Sequence, residues 1–129
     1  MENITQLSAK ERRELFAGTA GKKSLSEALI EKDFWVCYVL KKIFEEEISK
    51  NILLFKGGTS LSKCFNLIER FSEDVDLILD WQELGISDEE AWKERSGTKQ
   101  DRFNLEMDEK GRQYIKECII PRLQRSLTN

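Results

Sequence analysis

Asp74 and Asp76, one apolar residue apart in Asp74-Val75-Asp76-Leu77-Ile78-Leu79, are the residues whose spacing first suggests chemistry. The apolar run and its β-branched Val75 and Ile78 favour a strand, in which side chains alternate between faces. Both carboxylates then project from one face, with Cα atoms roughly 6.5 to 7 Å apart at ~3.3 Å rise per residue. Carboxylates that close repel each other. Mg2+ removes the conflict, because it takes oxygen ligands and binds through one or two carboxylates together with substrate phosphates. A pair of such ions clamps the attacking and leaving oxygens of an in-line displacement. The wet face of an edge strand would use the same two residues. An EF-hand loop does not fit: Asp80 follows at a suggestive spacing, but no turn glycine is present and the intervening residues are apolar.

A second cluster, Lys56-Gly57-Gly58-Thr59-Ser60, lies upstream. Ile52 to Phe55 reads as a short buried strand, and Leu61, Cys64, Phe65 and Ile68 recur at helical spacing. The glycine pair must turn the chain from strand to helix. Glycine allows both a positive φ and a close backbone approach to a ligand, and Gly58 is where a close phosphate approach or a positive φ is expected. Thr59 or Ser60 can cap the helix, whose free N–H groups favour an anion. Lys56 and Lys63 flank the turn and Arg70 follows, so all three could neutralise phosphate charge. An ordinary capped strand-to-helix turn would look the same. Neither a Walker A loop nor a Gly-x-Gly-x-x-Gly fingerprint is present.

The two clusters within one strand–helix–strand unit resemble the polymerase-β-type nucleotidyltransferase superfamily, in which a glycine pair precedes Asp-x-Asp by the length of a helix. Fourteen residues lie between Thr59 and Asp74. Phe55-Lys56-Gly57-Gly58-Thr59-Ser60-Leu61-Ser62-Lys63 and Arg70-Phe71-Ser72-Glu73-Asp74-Val75-Asp76-Leu77 look more narrowly like the AbiEii/AbiGii toxin family, as do Glu31-Lys32-Asp33-Phe34-Trp35-Val36 and Thr98-Lys99-Gln100-Asp101-Arg102-Phe103-Asn104. The resemblance runs through residues 26 to 125. It implies a nucleotidyltransferase toxin of a type IV toxin–antitoxin or abortive-infection system, moving a nucleotide from an NTP to an acceptor, with tRNA the expected acceptor and a cognate antitoxin the expected partner. Asp74 and Asp76 would hold Mg2+, at a two-metal site, and Lys63 would assist catalysis. Gly57, Gly58, Thr59, Ser60, Lys56 and Arg70 would hold the triphosphate. Family members are about twice as long, with a further lysine and acidic residue in their second half. The expectation is therefore an N-terminal half or truncated relative, whose catalytic unit is incomplete and which transfers poorly alone.

Composition bounds the rest. The chain has 129 residues, enough for one domain with a real core, and its formal net charge is −3. That balance excludes nucleic-acid binding by bulk charge, so RNA would need a local patch. Lys41, Lys42, Lys56, Lys63 and Arg70 form one candidate; Lys93, Arg95, Lys99 and Arg102 form another. Histidine is absent, which leaves carboxylates as the natural metal ligands and excludes Ser-His and Cys-His catalysis. Cys37, Cys64 and Cys118, widely spaced, read as buried thiols. With neither a signal peptide nor an 18-residue apolar run, a cytoplasmic protein without membrane contact is expected.

The remaining elements read as helical scaffolding. Ser8 with Glu11 forms a capping-box pattern before a first helix that Gly18 and Gly21 should end. Ser24 with Glu27 repeats the pattern before a central helix reaching about Ile48, apolar all round between Phe34 and Leu40; a strand over that stretch is the alternative. Ser87 with Glu90 makes a third box. Residues 96 to 104 read as a polar loop, and a last helix spans about Leu105 to Leu127, kinked at Pro121. The fold class is α+β, or α/β, mostly helical, in one domain over 1–129 with a small mixed sheet built from strands at 52–55 and 74–81. A catalytically incomplete nucleotide-binding or protein-interaction module, and a purely structural helical domain, remain as alternatives.

Overall fold

Helical spacing dominates the chain, and helices dominate the computed structural model, which describes residues 1–45, 52–58, 63 and 74–128. In order come α1 (Glu2–Thr5), α2 (Ala9–Lys23), α3 (Glu27–Glu45), β1 (Leu53–Lys56), β2 (Asp76–Leu79), a 3-10 turn (Trp81–Leu84), α4 (Asp88–Ala91), α5 (Gly97–Tyr114), a π-helical turn (Ile115–Ile119) and α6 (Ile120–Thr128). The two strands form one antiparallel sheet, so the fold is α+β and mostly helical. The described residues fall into two compact units, the first drawn from Met1–Lys41 and Lys56–Asp76, the second from Lys42–Phe55 and Leu77–Asn129.

In the first unit α2 begins as expected. Ser8 Oγ accepts the Glu11 N–H at 3.3 Å, and the Glu11 carboxylate accepts the Ser8 N–H at 2.8 Å. The helix does not stop at its glycines, however. A glycine inside a helix costs only about 1 kcal/mol relative to alanine, and α2 runs through Gly18 and Gly21 to Lys23, ending where Ser24 turns left-handed at φ 55°. Ser24 is therefore the end of α2 rather than the cap of α3. Ser26 takes that role, its Oγ accepting the Leu29 N–H at 3.3 Å. Phe16 and Ala20 of α2 and Tyr38 of α3 are buried. Phe34 joins them, 5.5 Å from Phe16 and 6.1 Å from Tyr38 between ring centroids, and such pairs contribute about 0.5–1.5 kcal/mol each beyond area burial. The stretch from Phe34 to Leu40 is helical, which removes the strand alternative, and no residue in it is exposed.

In the second unit Phe55 of β1 lies 6.3 Å from Phe44 of α3. Gly85, at φ 76°, closes the 3-10 turn. Ser87 caps α4 through the Glu90 N–H, but the Glu90 carboxylate pairs with Arg95 rather than closing the box. The expected loop over 96–104 is instead the beginning of α5. Its half-buried positions, Gln100, Phe103, Met107, Lys110, Gly111, Tyr114, fall at helical spacing, but three of the six are not apolar, which hides the stripe from a hydropathy reading. Before Pro121 the helix widens into the π turn, where the Ile120 N–H bonds to the Ile115 carbonyl. A proline N cannot donate and its ring crowds the preceding turn, so a looser turn on its N-terminal side accommodates it. Among the described residues no helix is long and apolar enough to cross a membrane. Cys37 and Cys118 are free, half-buried thiols; Cys64 lies outside the described residues.

Candidate active site

The site is assembled where β1 ends. The Asp80 N–H bonds to the Ile52 carbonyl at 2.8 Å and sets the antiparallel register, in which Leu54 stands opposite Ile78 and Lys56 opposite Asp76. Exposure alternates accordingly. Leu53, Phe55, Leu77 and Leu79 are half-buried, while Leu54, Lys56, Asp76 and Ile78 share the exposed face. Asp74 lies just before β2, which starts at Asp76 rather than at 74 and ends at Leu79. The alternation nevertheless continues upstream, with Asp74 exposed and Val75 half-buried. The two carboxylates therefore keep the shared exposure that the spacing suggested.

Gly57 follows Lys56 directly and takes φ +80°. A Cβ built there would meet the Asp76 side chain, 3.2 Å from Cγ and 3.3 Å from Cβ, with Oδ2 closer still. Two separate constraints thus require glycine: a left-handed backbone that costs an L-residue roughly 1–2 kcal/mol, and a space already filled by the carboxylate. Of the two properties expected at Gly58, a close phosphate approach or a positive φ, the positive φ falls at Gly57 instead. This contact joins the two halves of the motif, bringing the Asp76 carboxylate against the turn whose backbone would face an anion. Lys56 places a positive charge across the ladder from Asp76.

Lys63 has a partner that sequence reasoning did not assign. Its ammonium bonds to the carboxylate of Asp33 on α3, and both side chains are 25% exposed. Burial pulls the Lys63 pKa down, but the Asp33 bond, with a smaller contribution from Cys37, outweighs it and leaves the pKa above its ordinary value. Asp33 lies in the Glu31 to Val36 segment noted for its resemblance, yet nothing in its local spacing points to a lysine thirty residues away. Thr59, Ser60 and Arg70, together with every residue but Lys63 of the helix expected through Leu61 to Ile68, lie outside the described residues.

The basic clusters are less open than their sequence suggests. Lys41 bonds to Glu2 at 2.9 Å. The Arg95 side chain is 8% exposed, donates to the Glu90 carboxylate at 2.8 Å and the Lys93 carbonyl at 2.9 Å, and lies 3.8 Å over the Phe103 ring. Lys93, Lys99 and Arg102 are exposed. The residues that could hold a divalent cation are Asp74 and Asp76; among the described residues no group of three His, Cys, Asp or Glu comes together. Two carboxylates fit Mg2+, which ordinarily completes its shell with water and substrate phosphates.

The chain matches the family model described as nucleotidyl transferase AbiEii toxin, type IV TA system, over residues 38–127, more than half its length. No curated protein and no solved structure matches it.

Proposed function

The chain belongs to the AbiEii family of nucleotidyl transferase toxins of type IV toxin–antitoxin systems, and from that membership we propose that it binds an NTP with Mg2+ in the cytoplasm and transfers the nucleotide to an acceptor, with tRNA the first candidate. The observation that carries this reading is the Asp76 carboxylate packed against the positive-φ turn at Gly57. Gly57 and Gly58 let the phosphates approach the backbone, Thr59 and Ser60 add donors, and Lys56, Lys63 and Arg70 offset the charge. Asp74 and Asp76 hold the cation. Bound Mg2+ supplies a lowered pKa for the attacking hydroxyl and stabilisation of charge on the pyrophosphate. The acceptor oxygen forms a bond to the α-phosphorus, the bond to the bridging oxygen breaks, pyrophosphate departs and the hydroxyl proton passes to solvent.

The experiment is incubation with labelled NTPs, Mg2+ and total tRNA. Any label that enters the RNA fraction, weak as transfer by this chain alone is expected to be, should be lost in Asp76→Asn; transfer retained by that variant would refute the site. A second reading is that the same site binds NTP without turnover. It would appear as NTP binding with no release of pyrophosphate.

A further inference from the structure

Lys63 follows Gly57 by six residues, and its ammonium is held by a carboxylate from α3, a different part of the first unit. Half-buried ion pairs add little stability on balance, since desolvation offsets most of the Coulombic gain. Stability alone is thus a weak reason for this pair. An ammonium has three N–H donors, so one bond to Asp33 fixes the nitrogen without exhausting its donors. A lysine stem is otherwise flexible, and ordering it beforehand lowers the entropic cost of binding.

We infer that Asp33 is a positioning residue for nucleotide binding: its carboxylate holds the Lys63 ammonium in place, so that the charge is already ordered when the triphosphate arrives. This rests on the reading above, in which Lys63 offsets phosphate charge. Among the described residues the titratable groups facing Lys63 are Asp33 and Cys37, both on α3. Burial favours the neutral amine and Asp33 opposes that effect. Without Asp33, Lys63 would lose its proton at lower pH, and phosphate binding would weaken from that pH upward.

The test is calorimetric titration of the full chain with each of the four NTPs and Mg2+, from about pH 7 to about pH 10. Lys63→Ala should weaken binding about tenfold, the worth of one charge-assisted contact. Asp33→Asn should weaken it too, with the alkaline loss of affinity displaced to lower pH. Asp33→Glu keeps the charge but moves it by a methylene, so it should fall between Asp33→Asn and the unaltered chain in affinity and keep the unaltered pH dependence. Weaker binding by Asp33→Asn with an unmoved pH dependence would mark the pair as a brace and overturn the inference, as would unaltered affinity. If Asp33→Asn does not fold, Asp33→Glu decides, and affinity equal to that of the unaltered chain overturns the inference. Full affinity in Lys63→Ala would remove the phosphate role of Lys63, and the inference with it, while leaving the Asp76 and Gly57 site untouched. No NTP binding by the unaltered chain would sink both.

Discussion

At Gly57 a single hydrogen atom stands where any other residue would place a carbon against the Asp76 carboxylate. Gly57→Ala should therefore destabilise the protein by roughly 1–3 kcal/mol, through strain at φ +80° together with displacement of Asp76. Gly21→Ala makes the useful contrast. Gly21 lies inside α2 with open space where a Cβ would go, so alanine there should stabilise by about 0.5–1 kcal/mol. Urea denaturation of the two variants checks both signs, and a stabilised Gly57→Ala would contradict the turn geometry. The glycine pair and the carboxylate pair were legible because their residue types are restricted by chemistry. Which glycine carries the positive φ was not, because that depends on where β1 stops and on the side chain across the ladder. Asp33 was hidden for a related reason: its partner is distant in sequence and joins it only when α3 packs.

Elements were legible where a local rule fixes them. The Ser8 box starts α2 as its spacing demands, and the apolar girth of α3 matches its half-buried surroundings. Boundaries that depend on tertiary contact were misplaced. Two glycines failed to end α2, and α5 begins at Gly97 because Phe103, Met107 and Tyr114 anchor a stripe otherwise built of Gln100, Lys110 and Gly111. The attachment of α1 to α3 should depend on pH. The hydrogen bond from Lys41 is the main cause holding the Glu2 carboxyl down to about 2, from an ordinary 4.5. A depressed carboxylate contributes stability that is complete above the unfolded pKa and disappears as pH falls through the folded one. The stability difference between the unaltered chain and Lys41→Met should thus be steady above pH 4.5 and shrink toward zero near pH 2. A difference that stays constant down to pH 2 would show that this pair does not secure α1.

For the molecule as a whole, a net charge of −3 leaves binding to local arrangement rather than bulk attraction, and the paired states of Lys41, Lys63 and Arg95 narrow that arrangement further. Family membership supplies the class of reaction. The contact between Asp76 and the Gly57 turn is where this chain's own geometry meets it. That contact makes one claim testable without turnover, namely that the glycine turn and the carboxylate form a single site for a metal-bound triphosphate. The direct measurement is calorimetric titration at neutral pH of the unaltered chain, Asp76→Asn and Gly57→Ala with NTP, with and without Mg2+, circular dichroism confirming that each is folded. Binding should require Mg2+ and fall by about tenfold or more in both variants; equal affinity in all three proteins, or binding indifferent to Mg2+, would contradict a single site.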